Sequence, residues 1–495
     1  MEEREGSVQE KHFEMEVMGE KRKKIVKKSW DESKKMWEIA TPAMLTAVTQ
    51  FSIGVVTSAF VGHIGEVELA AVSIVQNVIE GFVFGVMLGM GSALETLCGQ
   101  AVGAGQVNML GIYLQRSWTI TGVTALFLTP VYVFTSPLLQ LLHQDKNISK
   151  LAGKFSIWVI PQLYAYAMNF PIQKFLQAQS KVWVMTIISI FSLLFHVLLN
   201  WVLVTKMERG LLGAAIAGNI SWWLVVLGQA FYVLAGFFPE AWTGFSLSAF
   251  TSLAGFVKLS LASAVMLCLE LWYFTIVILM VGWLKNPEIA VDAISICMNL
   301  ELWTLMIALG FNAAISVRVS NELGAGNPKA AKFSVLVTVL TSLIIGVVFT
   351  IIIIVSKNDF PKMFSGKPVV IKEASNLGYF TAATIFLNSI LPVLHGVAVG
   401  AGWQTLVALI SIGSYYIIGL PVGALLGYKF KLGVKGIWTG MLAGYVIQLF
   451  ILILVFLRTN WLKEASKAEE RIKTWGGPQE QQSPSEPNMN GDRTT

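Results

Sequence analysis

The feature that most constrains this chain is a series of apolar segments, each about twenty residues or longer, separated by short polar connectors. Segments of this length cross the hydrocarbon core of a bilayer as helices. Charged residues make up only 13% of the sequence, and they gather at the two ends and in the connectors. The pattern predicts an all-α polytopic membrane protein with twelve spans, at residues 37–60, 69–92, 112–136, 155–178, 183–205, 212–236, 255–282, 288–312, 331–356, 374–398, 404–428 and 434–457.

The two ends of the chain are polar and are predicted to lie on the same side, because the number of spans is even. The basic run KRKKIVKK (residues 21–28) predicts that this side is the cytosol. Residues 1–36 are expected to form a cytosolic N-terminal tail and residues 463–495 a disordered cytosolic C-terminal tail. The formal charge of +6 then reflects topology, with contact between the basic run and anionic lipid left open, and it does not indicate nucleic-acid binding.

The two halves of the chain repeat one another. GSALETLCGQAVGAGQ (residues 91–106) aligns without a gap with NAAISVRVSNELGAGN (residues 312–327), at an offset of 221. Pro171 and Pro392 are also 221 positions apart. The repeat predicts two six-helix bundles related by a pseudo-twofold axis, an N-lobe at 37–247 and a C-lobe at 248–462. Because six is even, the axis runs along the membrane normal, as in transporters whose lobes rock against each other.

Glycine and proline occupy positions that suit a moving pair of bundles. Pro42, Pro171 and Pro392 lie within spans, where they are expected to produce kinks that either bend the helix permanently or move. Four glycines of the repeated segments fall in short connectors, where sharp turns are expected, namely Gly103, Gly105, Gly324 and Gly326.

The sequence contains no signature of an enzyme or of a nucleotide-driven pump. No P-loop is present, and the scattered Cys98, Cys268 and Cys297 suggest neither a metal site nor a disulfide. We therefore predict no cofactor and an ion gradient as the energy source.

An ion-coupled carrier needs a group whose charge changes, and the segment LCLELWYF places Glu270 in the middle of an apolar span. A mid-membrane acid costs about 2.5–3.5 kcal/mol on translocon scales, which favours a functional role. The basic residues of its span, Lys258 and Lys285, are about 18–22 Å away along the helix, too far for a local ion pair. The alternative is a structural acid bonded to a neighbouring helix. Glu80 and Glu301, which are 221 positions apart, are the rival candidates.

Other polar and aromatic residues of the spans are candidates for a substrate cavity, since aromatic rings bind flat organic molecules and cations. Some of the amides are expected only to bridge helices. The predicted cavity residues are Asn388, Trp272, Tyr273, Asn299, Asn312, Tyr415, Gln50 and Asn77. Near the cytosolic helix ends, Arg318, Glu322 and Glu95 are expected to hold one side of the carrier closed.

The segments TPAML, FVGHIG, LETLCGQAVGAGQ, SVRVSNELGAGNPKAAK and GVAVGAGWQ resemble the multidrug and toxic compound extrusion (MATE) family, in its plant-type branch. The resemblance covers roughly residues 35–460. It implies secondary antiport of organic compounds such as flavonoids, alkaloids and organic cations, commonly driven by protons, at the vacuolar or plasma membrane.

The resemblance also assigns roles to residues. Glu270 matches a glutamate that is a proposed protonation site in plant-type relatives. Asn388 stands where relatives often carry an aspartate, and an amide cannot titrate. Gln50 aligns with Glu270 in the first lobe, so proton chemistry is expected in the second lobe only. Either Glu270 carries the coupling proton alone, or the coupling differs in this chain.

We therefore predict a monomeric, proton-coupled antiporter that moves a small organic substrate by alternating access of its two lobes within the bilayer. The alternatives are a uniporter, a lipid or oligosaccharide flippase of the same superfamily, and a membrane receptor that transports nothing.

Overall fold

A computed structural model describes residues 2–142, 144–251, 253–284 and 287–475, and every regular element in those ranges is a helix. A helix satisfies all its backbone hydrogen bonds internally, as a segment surrounded by lipid tails requires. Large apolar side chains are exposed on the outer surface, among them Phe127, Phe231 and Ile344. These observations confirm the predicted all-α membrane fold.

Twelve long helices lie at the positions of the twelve predicted spans. They are α1 (Glu2–Gly62), α2 (Glu66–Gly103), α3 (Leu110–Val133), α4 (Ile160–Ala178), α5 (Val182–Lys206), α6 (Gly210–Leu234), α7 (Leu253–Gly282), α8 (Pro287–Gly324), α9 (Pro328–Ser356), α10 (Pro368–Ala401), α11 (Gln404–Lys429) and α12 (Gly433–Arg458).

Ten of these helices are long and apolar enough to cross a membrane on composition alone, and α3 becomes the eleventh when joined to the short helix Thr135–Leu141 across a 59° bend. The exception is α4, which buries the polar residues Asn169, Gln173 and Lys174. A helix that presents polar groups to its neighbours keeps its place in a bundle through those neighbours rather than through its own apolarity.

The helices form two lobes, α1–α6 and α7–α12. Within the lobes, α2 packs on α4 and α8 packs on α10 at equivalent places. Between the lobes, α1 lies against α8, and α2 lies against both α7 and α8. The helices α2 and α7 can approach closely because Gly89 has no side chain. A methyl group at that position would lie 2.3 Å from Ala264 Cα.

The repeated glycine segments meet each other across the lobe boundary. A Cβ atom on Gly103 would lie 1.9 Å from the carbonyl oxygen of Asn321, and one on Gly324 would lie 2.0 Å from that of Gln100. Gln100 and Asn321 are themselves 221 positions apart. Each lobe therefore makes the same contact with the other, as a pseudo-twofold axis requires.

The expectation that all four glycines serve sharp turns is therefore only half right. Gly105 and Gly326 do occupy turns, with φ of 73° and 70° in the left-handed region that favours glycine. Gly103 and Gly324 instead allow the two backbones to touch. We call the face of the bundle that carries these four glycines the terminal face.

Both predicted tails contain helix. α1 begins at Glu2, so residues 2–36 continue the first span as one helix. The tail predicted to be disordered from residue 463 instead begins with α13 (Trp461–Trp475), while residues 476–495 lie outside the described ranges. Helical spacing of Trp461, Ala468 and Ile472, all buried, gives α13 an apolar face that its charged composition conceals.

Candidate functional site

Glu270 lies on α7, the helix of the second lobe that packs against α2 of the first. Its side chain is 21% exposed. Two residues along α7, Trp272 stacks on Phe82 of α2 with ring centroids 5.9 Å apart and planes inclined by 16°. A Cβ atom on Gly85 of α2 would contact Leu271 Cδ1 at 2.7 Å. The predicted proton site is therefore on a helix that packs directly on the other lobe.

The glutamate has a partner that sequence reasoning missed. His395 Nδ1 of α10 lies 3.0 Å from Glu270 Oε1, and the imidazole is only 7% exposed. The expectation that Glu270 lacks a local ion-pair partner holds for its own helix and is wrong for its neighbour. His395 is visible in the segment NSILPVLHG, but nothing in a single sequence indicates that it faces α7.

A short polar chain continues from the histidine. Gln448 Nε2 of α12 lies 3.2 Å from His395 Nε2 and donates to Ser411 Oγ of α11 at 2.9 Å. Gln448 is fully buried, and its Oε1 atom has no hydrogen-bond partner in the structure. Four helices of the second lobe thus converge on one line of polar groups from Glu270 to Ser411.

Tyrosines surround this line on one side. Tyr273 and Tyr415 stack with centroids 4.4 Å apart and planes inclined by 5°, and Tyr445 meets both rings edge-on. A π-helical turn, Ile412–Gly419, carries Tyr415 and Tyr416, and the Tyr416 hydroxyl donates to the Leu269 carbonyl at 2.7 Å. Tyr273 and Tyr415 have almost no exposed surface here, so their contact with substrate stays a prediction.

The first lobe lacks an equivalent of the Glu270–His395 contact. Gln50, which aligns with Glu270, donates to Ser189 Oγ at 3.4 Å. Lys174 stands 221 positions before His395, and its Nζ atom lies 2.7 Å from Glu95 Oε2. Lys174, the counterpart of His395, is therefore already paired with a carboxylate of its own lobe. Glu95, predicted to help close one side, serves this internal pair instead.

Asn388 lies two helical turns from His395 on α10 and is 8% exposed. It lines a small cavity between α8, α9 and α10, together with Thr304, Ser342 and Ser389. The structure therefore separates the amide from the carboxylate with which the resemblance pairs it.

The remaining predicted cavity amides have different surroundings. Asn77 and Asn299 are exposed, and each donates back to its own helix, to Ser73 O at 2.8 Å and to Ser295 O at 2.9 Å. Asn312 Nδ2 donates to the Pro392 carbonyl at 2.7 Å, so it bridges α8 and α10 beside a proline.

The three prolines predicted to form kinks each lie inside a continuous helix. The Pro42 carbonyl accepts from Thr46 and from Thr186, both at 2.8 Å. Beside Pro171, the position equivalent to Asn312 in the repeat is Gly91. A Cβ atom on Gly91 would lie 3.8 Å from the proline nitrogen. A polar side chain of a neighbouring helix therefore donates to the proline carbonyl at Pro42 and Pro392, through Thr186 and Asn312, whereas a glycine lies beside Pro171.

The rival carboxylates occupy different environments. Glu301 is 3% exposed, and neither carboxyl oxygen has a hydrogen-bond partner in the structure. Glu80 ends the π-helical turn Val75–Glu80 and is partly exposed.

An ion-pair cluster joins the lobes at the terminal face. Arg318 donates from Nε to Glu32 Oε1 at 2.7 Å and from Nη2 to Glu32 Oε2 at 3.1 Å. The same Nη2 donates to Glu322 Oε1 at 2.6 Å, and Ser334 donates to Glu32 Oε1 at 2.6 Å. Arg318 and Glu322 were predicted to hold one side closed, and their partner Glu32 was missed because it precedes the first apolar segment.

The helix α13 also joins the lobes at the terminal face. Arg471 Nη1 donates to the Ala401 carbonyl of the second lobe at 2.9 Å, while Arg116 Nη1 of the first lobe donates to the Trp475 carbonyl at 2.8 Å. Burial lowers the pKa of the Arg471 guanidinium from its ordinary value, and the carboxylate of Glu464 opposes that change.

A family model described as MatE matches residues 42–202 and 262–425, which include most of both lobes. The chain belongs to the MatE family. Protein DETOXIFICATION 33 of Arabidopsis thaliana is 57% identical to this MatE protein over 447 residues, or 90% of this chain and 92% of the relative. Protein DETOXIFICATION 32 of the same plant is 56% identical over 445 residues, or 90% of this chain and 86% of the relative.

Solved structures agree with this assignment. The crystal structure of the eukaryotic MATE transporter AtDTX14 superposes with a TM-score of 0.85 and 33% identity, covering 90% of this chain and 99% of the other. The bent form of the Vibrio cholerae transporter VcmN shares the fold at a TM-score of 0.77 and 18% identity, covering 89% and 99%. This MatE protein is therefore a plant-type transporter with the twelve-helix fold, and not an enzyme.

Proposed function

We propose that this MatE transporter exports organic compounds of the flavonoid, alkaloid or organic-cation type from the cytosol in exchange for protons. The observation that carries the proposal is the placement of Glu270, a carboxylate in an apolar span, against His395 and on a helix that packs on the other lobe. Binding or release of a proton changes the charge of that site, and α7 can pass the resulting shift to α2.

The cycle follows from this placement. A proton that enters from an acidic lumen or apoplast neutralises the negative charge at Glu270 and repositions α7 within the second lobe. The lobes then open outward and substrate leaves. Loss of the proton toward the cytosol restores the charge and the affinity for substrate. The terminal face is the cytosolic face in this proposal, and the membrane is the vacuolar or the plasma membrane. The name DETOXIFICATION, carried by its relatives, fits the export of harmful organic compounds.

The test is transport by the full-length chain in proteoliposomes with an imposed pH gradient. A panel of flavonoids, alkaloids and organic cations is offered with and without a protonophore. We expect at least one compound to move against its gradient, the protonophore to stop it, and Glu270→Gln to abolish it while the protein still folds. Movement that ignores the protonophore would indicate a uniporter, and movement of labelled lipid alone would indicate a flippase. Wild-type rates in Glu270→Gln would refute the coupling role.

A further inference from the structure

We propose that His395 is the second proton-binding group of the coupling site, so that Glu270 and His395 bind one proton as a unit. The inference rests on the proposed proton coupling and adds the residue that replaces the acid expected at Asn388. Its basis is the 3.0 Å contact between His395 Nδ1 and Glu270 Oε1 and the burial of the imidazole.

The neighbours of the imidazole define its proton arrangement. The Gln448 amide nitrogen, 3.2 Å from His395 Nε2, can only donate a hydrogen bond, so Nε2 accepts and carries no hydrogen. The single hydrogen of the neutral ring is then on Nδ1, the ring nitrogen that lies 3.0 Å from Glu270 Oε1. In this state the pair has one negative charge.

The same chain can accommodate an added proton. Gln448 Oε1 is buried without a partner, and a half-turn of the amide would bring it to the position now held by the nitrogen. When a proton binds, an N–H bond forms at His395 Nε2 and donates to that oxygen, while the Ser411 hydroxyl can donate to it as well. The result is an imidazolium–carboxylate pair with no net charge. Release breaks the same N–H bond, and no other reactant is required.

Most groups near the pair cannot compete for this proton at physiological pH, and the exception is the buried carboxyl of Glu301. Within the described ranges, the facing titratable groups are hydroxyls on α7, α11 and α12, the Cys268 thiol on α7, and the Glu301 carboxyl on α8; the hydroxyls belong to Tyr273, Tyr415, Tyr416 and Tyr445. Phenols and thiols ordinarily ionise well above pH 7. The helix α2, on the other side of α7, presents Gly85 and Gly89.

A histidine that only holds the carboxylate in place would stay neutral through the cycle, and this difference can be measured without substrate. The experiment is NMR of the full-length chain in lipid nanodiscs with isotopically labelled histidine. The His395 signal, one of five, is assigned by its loss in His395→Gln. We expect this signal to titrate between pH 5 and 8. In Glu270→Gln, we expect the midpoint of the titration to fall by at least one pH unit. A His395 ring that remains neutral over this range overturns the inference.

Two further variants provide a cross-check. His196 of α5 is also buried, but its partners are the neutral Thr57 hydroxyl at 3.0 Å and Ser221 hydroxyl at 2.9 Å. His196→Gln should therefore leave the His395 titration in place. Gln448→Met keeps the volume and removes the amide that adapts to both states, so it should move the His395 titration toward acid.

The transport assay separates this inference from the function on which it rests. With ethidium as the fluorescent organic cation, His395→Gln should retain gradient-driven transport but shift its pH profile toward acid by up to about two units, because the carboxylate alone must bind the proton. A His395→Gln profile identical to wild type, with Glu270→Gln inactive, overturns the role of His395 alone. A wild-type chain in which neither ethidium nor any compound of the panel responds to the gradient overturns both proposals.

Discussion

Gly103 and Gly324 occupy equivalent positions in the two lobes. Each glycine lies against the backbone of the other lobe, at the residue that precedes the other glycine by three positions. Gly103 faces the Asn321 carbonyl, and Gly324 faces the Gln100 carbonyl. The paired glycine segments are therefore the surfaces through which the lobes meet at the terminal face. A transporter that alternates must break this contact and form it again, and only a residue without a side chain permits it to form.

Alanine at either glycine should prevent the terminal face from closing as it does here. The added methyl group would lie about 2 Å from a backbone carbonyl oxygen, which neither helix can avoid without separating. We expect Gly103→Ala and Gly324→Ala to lengthen spin-label distances between α2 and α8 at this face, and to slow transport by at least tenfold.

Gly122→Ala is the matched control, since its Cβ position in α3 has no atom within 4 Å. Alanine there should leave distances and transport unchanged. Unaltered distances in the Gly103 and Gly324 variants would show that the close contact is not required for closure.

Removal of Arg318 should loosen the same face by a different route. The guanidinium binds Glu32 of the first lobe and Glu322 of the second, so Arg318→Ala leaves two partly buried carboxylates without their cation. We expect a loss of about 2–4 kcal/mol in the stability of the closed arrangement, between the values for exposed and buried pairs. The readout is the thermal midpoint together with the spin-label distances.

Two controls separate geometry from charge in this experiment. Arg318→Lys keeps the charge but not the planar fork that binds both Glu32 oxygens, so it should recover only part of the loss. Lys362→Ala breaks an exposed pair with Asp359 and should change nothing measurable. A full effect from Lys362→Ala would mean that the assay reports general charge and not closure.

Asn388→Asp should leave the pH profile of transport unchanged, because Asn388 lines a cavity between α8, α9 and α10 whose lining does not include Glu270. The new buried acid should instead reduce stability, by about 2.5–3.5 kcal/mol on translocon scales. Thermal unfolding and the proteoliposome pH profile measure the two effects separately. A shifted profile would show that Asn388 belongs to the coupling site after all.

The fold could be predicted from sequence because its main determinants are local or periodic. Apolar length fixes each span, and the constant offset of 221 fixes the relation between lobes. Even α4, which is not apolar enough to pass as a span on composition alone, is found as the fourth segment of the series. Residues 463–475 escaped prediction because their apolar face comprises few residues among many charges, and composition averages over that spacing.

The candidate site could be predicted only in part. A glutamate in an apolar run is conspicuous by itself, so Glu270 can be found without a structure. His395 and Lys174 are equivalent in the repeat, yet their partners are not. His395 of α10 lies beside Glu270 of α7, whereas Lys174 of α4 pairs with Glu95 of α2. Which neighbour a helical side chain meets depends on helix rotation within the bundle. A single sequence does not contain that information.

The contacts of α13 predict that this helix joins the two lobes at the terminal face through residues near its C-terminal end. A hydrogen bond to a charged group contributes about 1.5–3 kcal/mol, and Arg471 and Arg116 each form one such bond. Arg471→Ala should loosen α13 on the second lobe, where Trp403 Nε1 still donates to Glu464 Oε2 at 2.9 Å, and we expect amide hydrogen exchange across Trp461–Trp475 to accelerate at least tenfold. Lys473→Ala is the control, because its pair with Glu469 is exposed on both sides. Equal exchange rates in the two variants would show that the apolar face of α13, and not Arg471, keeps the helix in place.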